Sequence, residues 1–411
     1  MIKQRSTTAA CKMTAAAAAV LMCLVAGVRA PAMAQDLEST TDVARVEAAT
    51  KYAADWLNGR LKDSEYNMPA VAYQGDPITL RWSHHVPAVS GMAKTVYKPG
   101  FRLLERLSKG KIKVVERWGR TVHPANAGFE ATRSGLTDMT ACYAFYNPTT
   151  FDLMHVMSLP GIVPSSPAGT RITHEAYDEF FRREMERTGV LMGFVYTTTP
   201  YVLHSKDVLD TLESLKGKKV RTGGGVHAAV WKALGTVPTT MPAPRIYTAF
   251  QRGLLDAVAF PDSVSILFRI NELQKSHTYI NLSRINQEHC ISRKWFEALP
   301  PDLKVVVSRW AQGFAQAISQ EFYVLAGAKA RNKFREAGIH MVHLSDAETK
   351  RWQAAARPVI DEWVKTNEAK GLPAKKLLEF IRERAQQYAK MTPEQIMRLT
   401  VEKPVSKFIV D

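Results

Sequence analysis

The chain has 411 residues, 46% of them hydrophobic, with 55 Lys and Arg against 39 Asp and Glu and a formal charge of +16. That length exceeds what one hydrophobic core usually holds and implies two domains. The positive charges are scattered, neither gathered into a basic arm nor interleaved with aromatics, which speaks against nucleic acid as a partner.

The N-terminus reads as an export signal. Lys3, Arg5 and Lys12 form a basic start, residues 13–28 are almost wholly apolar, and Ala32-Met33-Ala34 supplies the small residues a signal peptidase needs. The apolar run falls short of the roughly 20 residues that span a bilayer, so cleavage after Ala34 and a periplasmic, exported product are expected. Met22 ahead of Cys23 argues against a lipoprotein anchor. Losing residues 1–34 removes four basic and no acidic residues, taking the charge from +16 to +12. It also removes Cys11 and Cys23. Cys142 and Cys290 remain, either as one bridge in an oxidising compartment or as two separate thiols.

Further along, Val43, Val46, Ala49, Tyr52, Ala53, Trp56 and Leu57 recur at helical spacing, a helix set ahead of the main fold. Strands are expected at residues 78–83, 112–118, 136–141, 190–196 and 201–204, with helices at 91–108, 127–134, 168–188 and 210–215. Residues 219–261 then read as strand, Gly-rich turn, helix, strand, helix, strand. A strand at 278–282 follows, and residues 301–338 support one long helix whose interior weak points are Gly313 and Gly327. A strand at 340–344 leads to Ser345 and Glu348, a capping box for a helix through Trp363, and the tail beyond Lys370 is helical. Strand and helix alternate at βαβ spacing, so the class is α/β with largely parallel sheets.

Arg221 stands where the strand before the three glycines ends. A guanidinium there, beside the free N–H groups of a helix N-terminus, is a fork that takes a carboxylate bidentately, and ligands of open α/β sheets bind beyond the carboxyl ends of strands. The alternative is a surface or salt-bridged arginine. Gly223 to Gly225 carry no phosphate-loop pattern and read as a turn that lets a ligand approach. His84 and His85 lack the companions of a zinc site and read as a loop lining a cleft. Tyr143 and Tyr146 are core packing or pocket wall. No nucleophile elbow or diagnostic carboxylate pair is present, so no catalytic residue, cofactor or metal is assigned.

The segments LKGKKVRT, WKALGTVPTTMP and IYTAFQRGLLDAV, together with ITLRWSHH, FDLMHVMSLPGIV, KWFEALPPDL and GIHMVHLSDAETKRW, resemble the DctP-type solute-binding subunits of tripartite ATP-independent periplasmic (TRAP) transporters over about residues 78–370. The resemblance implies a periplasmic-binding-protein-like fold of two α/β lobes joined by a hinge, with a long helix crossing both. On that pattern residues 35–76 are a helical extension. Lobe I is 77–199 completed by 284–330, lobe II is 200–283 completed by 331–390, and 391–411 is a tail. The family's ligand-gripping arginine falls on Arg221, and its pocket loops fall on His84, His85 and Tyr143. Three positions depart from the pattern: Ala243 replaces an aromatic, Phe260 an asparagine and Tyr201 a second arginine. These imply an acid with one carboxylate and an apolar or aromatic body, passed to a small and a large integral membrane subunit for ion-coupled uptake. An exported signalling receptor and an exported hydrolase are the competing readings.

Overall fold

The computed structural model describes residues 37–409, so the export-signal reading of residues 1–34 lies outside them. Eleven strands among the described residues form two sheets. The first has the order β2-β1-β3-β10-β4, from β1 (Ile78–Ser83), β2 (Ile112–Arg117), β3 (Met139–Ala141), β4 (Val190–Thr197) and β10 (Asn286–Ser292). The second has the order β11-β9-β5-β8-β6-β7, from β5 (Val202–Ser205), β6 (Lys219–Thr222), β7 (Val237–Thr240), β8 (Ala257–Phe260), β9 (Ser276–Tyr279) and β11 (His340–His343).

Both sheets are mixed, which corrects the expectation of largely parallel ones. β1 pairs in parallel with β2 and β3, but β10 runs antiparallel between β3 and β4. In the second sheet β5 is antiparallel to β8 and β9. The cause is two crossovers. The chain leaves the first sheet after β4 and returns along β10, so each sheet receives a strand from the far side. The sequence of β10, NQEHCIS, carries little of the alternation that marks a strand, and no strand was expected there. The strand expected at 278–282 lies instead at Ser276–Tyr279.

The helices that matter below are α1 (Val43–Leu57), α2 (Ser166–Ala176), α3 (Val226–Ala233), α4 (Pro301–Ala317), α5 (Ala326–Glu336), α6 (Ala374–Tyr388) and α7 (Pro393–Glu402). α4 and α5 are one continuous rod through a wider π-helical stretch, Ile318–Leu325, as the long-helix reading expected. Its first half packs on β4, and its second half reaches the second sheet through the helix Asp262–Leu267. Gly313 is no weak point: a Cβ there would come within 2.4 Å of the Trp56 ring. The helix set ahead of the main fold is thus keyed into the core, with Trp56 fully buried. Losing a ring so enclosed typically costs about 3–5 kcal/mol. α6 and α7 pack on α2, on the first lobe, so of the stretch 331–390 expected to complete the second lobe, the part from Ala374 lies on the first.

The crossover segments 198–201 and 280–285 lie side by side. Thr198 N–H donates to Ile285 O at 3.0 Å, and Tyr201 N–H donates to Ser283 O at 3.0 Å. Arg284 on the second segment pairs at 2.7 Å with Glu38, which also accepts from Ser166 N–H at 2.7 Å. Cys142 and Cys290 form a disulfide, resolving the two alternatives left by their spacing.

Candidate functional site

β6 places Arg221 beside β8, in register with Val258. Side chains alternate along a strand, so Phe260, two residues on from Val258, shares the face of Arg221. The guanidinium carbon sits 4.4 Å from the Phe260 ring centroid, a cation–π contact. Arg221 is 1% exposed. Its Nη2 donates to Met241 O at 3.1 Å, while Nε and Nη1 make no hydrogen bond. Burial works against its charge; the phenols of Tyr146 and Tyr201 favour it, and no carboxylate is among the groups acting on it. An arginine keeps its proton even so. The result is a buried cation with two donors idle, an arrangement that costs several kcal/mol until an anion meets it.

The cavity beside Arg221 takes walls from both lobes. His84 and His85 follow β1, Tyr143 follows β3, Tyr201 lies on the first crossover, and Ala243 and Phe260 belong to the second lobe. All seven residues put forward from the sequence border this one space. Ala243 N–H donates to the Tyr146 hydroxyl at 3.0 Å, a bond from lobe to lobe. His84 Nδ1 accepts from Val86 N–H at 3.0 Å, which puts its proton on Nε2, 3.3 Å from the Tyr143 hydroxyl. Burial holds both histidines neutral, His84 well below its ordinary range and His85 at about 3. The neutral, mostly aromatic wall suits an apolar body, and the arginine suits a single negative charge.

Sequence reasoning missed several walls. Phe322 and Tyr323 come from the π-helical stretch, Phe268 from the end of the helix after β8, and Gln287 from the unexpected strand β10. A helix-period pattern does not separate a ring facing the core from one facing a cavity, so the long helix carried no signal.

The three glycines serve a purpose other than ligand approach. A Cβ on Gly224 would lie 2.5 Å from Phe145 O, one on Gly225 2.9 Å from the His155 ring, and one on Gly223 2.8 Å from Ile285. The turn is bare so that the first lobe's loop and the crossover can come close. Gly223 N–H donates to His227 Nδ1 at 3.0 Å, which fastens the turn to α3.

A second constellation, unflagged by the sequence, joins His204, Asp262 and His277, whose ligand atoms lie within 4.8 Å of one another. Such a trio has the chemistry of a metal site. Here Asp262 already takes His277 at 2.7 Å and Arg331 at 2.7 Å, and His204 is engaged at both nitrogens by Gln274 and Phe260 O. Arg331 supplies the positive charge a cation would bring, so the trio is a structural network tying α5 to the second sheet.

The family model described as bacterial extracellular solute-binding protein, family 7 (DctP), matches residues 83–367. A C4-dicarboxylate-binding periplasmic protein DctP of Rhodobacter capsulatus is 25% identical over 307 residues, 72% of this chain and 88% of its own length. Two solved structures share the fold. One is a marine metagenome TRAP solute-binding protein specific for aromatic acid ligands, in complex with 3-hydroxybenzoate; it is 22% identical with a TM-score of 0.72, over 77% of this chain and all of its own. The other is the sugar acid-binding protein of Advenella mimigardefordensis with galactonate, 18% identical with a TM-score of 0.66, over 76% of this chain and 99% of its own. Dicarboxylate, aromatic acid and sugar acid are thus all represented among the proteins it resembles. Those relatives are periplasmic or extracellular solute-binding proteins of transport, not enzymes, and no helix among the described residues is long and apolar enough to cross a membrane. On its match to the family model and on its two-lobe fold, the chain belongs to the DctP family of TRAP solute-binding proteins.

Proposed function

We propose that this protein captures a small monocarboxylate with an apolar or aromatic body in the periplasm and hands it to the two membrane subunits of a TRAP transporter. The observation that carries the reading is Arg221, buried with Nε and Nη1 idle and no carboxylate acting on it. Arg221 grips the ligand carboxylate, Phe260 stacks beneath the guanidinium, and Tyr201 and Ala243 close the second-lobe wall around the ligand. His84, His85 and Tyr143 line it from the first lobe. Because the walls come from both lobes, only the closed form makes every contact, and the ligand drives closure by that difference. A dicarboxylate would bring a second charge to a cavity whose lining holds one cation, and leaving that charge unpaired opposes binding.

The test is a thermal-shift screen followed by calorimetry, with benzoate, succinate and galactonate as probes. Benzoate is expected to raise the melting temperature, with succinate and galactonate inert. Arg221→Ala should weaken benzoate binding by about 2–5 kcal/mol by leaving a buried carboxylate unpaired. Binding of succinate alone, or an affinity untouched by the substitution, overturns the reading.

A further inference from the structure

The cavity has a second polar pole, and its chemistry bears on which aromatic acids fit. Tyr201 acts on the Arg221 charge and belongs to the carboxylate end, and Gln287 acts on Tyr201. His84 spends both ring nitrogens, on Val86 N–H and the Tyr143 hydroxyl. His85 differs. It is 6% exposed and borders the cavity, yet neither ring nitrogen makes a hydrogen bond to any described residue. Ring contacts alone hold it: stacked on His84 at 4.4 Å, edge-on to Tyr143 at 5.8 Å, and parallel to Phe268 at 6.5 Å. Phe268 in turn stacks on Phe260 at 6.0 Å, and Phe260 carries Arg221. Two aromatic rings along the wall therefore separate His85 from the guanidinium.

We propose that His85 selects for a hydroxyl on the ring of an aromatic acid whose carboxylate is held by Arg221. A neutral imidazole offers one donor and one acceptor, which suits a phenol in either direction, and an idle buried polar group is costly until a partner arrives. Burial first, then His123 and Arg120, hold His85 in the neutral form that a second carboxylate would not match. This inference rests on the aromatic-acid reading above.

Calorimetry with benzoate, 3-hydroxybenzoate and 4-hydroxybenzoate, on the wild-type protein and on His85→Phe and His85→Gln, decides it. At least one hydroxybenzoate should bind wild type about tenfold more tightly than benzoate, the worth of one buried hydrogen bond. His85→Phe should bring the ratio of hydroxybenzoate to benzoate affinity to about one, whatever it does to benzoate itself, and His85→Gln, which can still hydrogen-bond, should retain part of the preference. Equal binding of all three probes to wild type, or a preference that survives His85→Phe, overturns the assignment while leaving the aromatic-acid reading intact. Should His85→Phe not fold, the wild-type ratio and His85→Gln still decide. Failure of all three to bind folded wild type overturns both.

Discussion

Arg221 and Glu288 are both buried without a charged partner among the described residues, and they meet that cost in opposite ways. The arginine keeps its charge and waits for an anion. Glu288 gives its charge up: burial pushes its carboxyl to about 8, only partly opposed by the Ala144 N–H that it accepts at 2.9 Å. A folded-state value above the unfolded one of about 4.3 means that the folded state holds the extra proton between the two. Stability from this group is therefore complete below the unfolded value and is lost as pH rises through about 8. Glu288→Gln, which mimics the protonated acid, should match wild type near pH 5. It should gain on wild type progressively up to pH 9, by an amount on the order of a few kcal/mol. The buried histidines titrate the other way in both proteins, so the difference between the two melting curves isolates Glu288. A gap that does not change with pH would show that Glu288 is not buried as a neutral acid.

At the scale of elements, the glycine turn after β6 is where lobe meets lobe. A Cβ on Gly224 would meet the second lobe at an ordinary 3.5 Å, from Thr240, but the first at 2.5 Å, from Phe145 O, so Gly224→Ala should leave the ligand-free fold almost as stable while opposing closure. Benzoate affinity in that variant is expected to fall at least about tenfold, the effect of 1.4 kcal/mol, with a small change in melting temperature; an unchanged affinity would mean the lobes do not close through this contact. The same elements show what could be read in advance. Arg221 was legible because a strand, an arginine and three glycines are local signals, and Phe260 because it breaks a motif at a known place. Gln287 was hidden with β10, whose polar sequence is a strand only because β3 and β4 flank it. Tyr323 was hidden inside a helix whose periodicity is satisfied by core and cavity alike. The glycines were legible as a turn but not in purpose, since the loop they admit lies some 80 residues away in the chain.

Across the whole molecule, two crossovers and one long helix join the lobes and frame the cavity between them. The disulfide anchors the start of the Tyr143 loop to β10 across 148 residues of sequence. The extension ahead of the family match does more than precede the fold. Glu38 is buried against Arg284 on the crossover, and Thr40 O accepts from Arg331 at 2.9 Å on the helix that reaches the second lobe. The two-lobe fold was legible from the family pattern, whereas this strap was not, because its partners are distant in sequence and the pattern begins after it. All these restraints converge on one space with one cation. The most direct measurement is mass spectrometry of what co-purifies with the natively exported protein, beside Arg221→Ala prepared in parallel. The expected result is a monocarboxylic acid with an aromatic or apolar body, present in wild type and absent from the variant. A dicarboxylate, a sugar acid or a molecule without a carboxylate, retained equally by both, would contradict it.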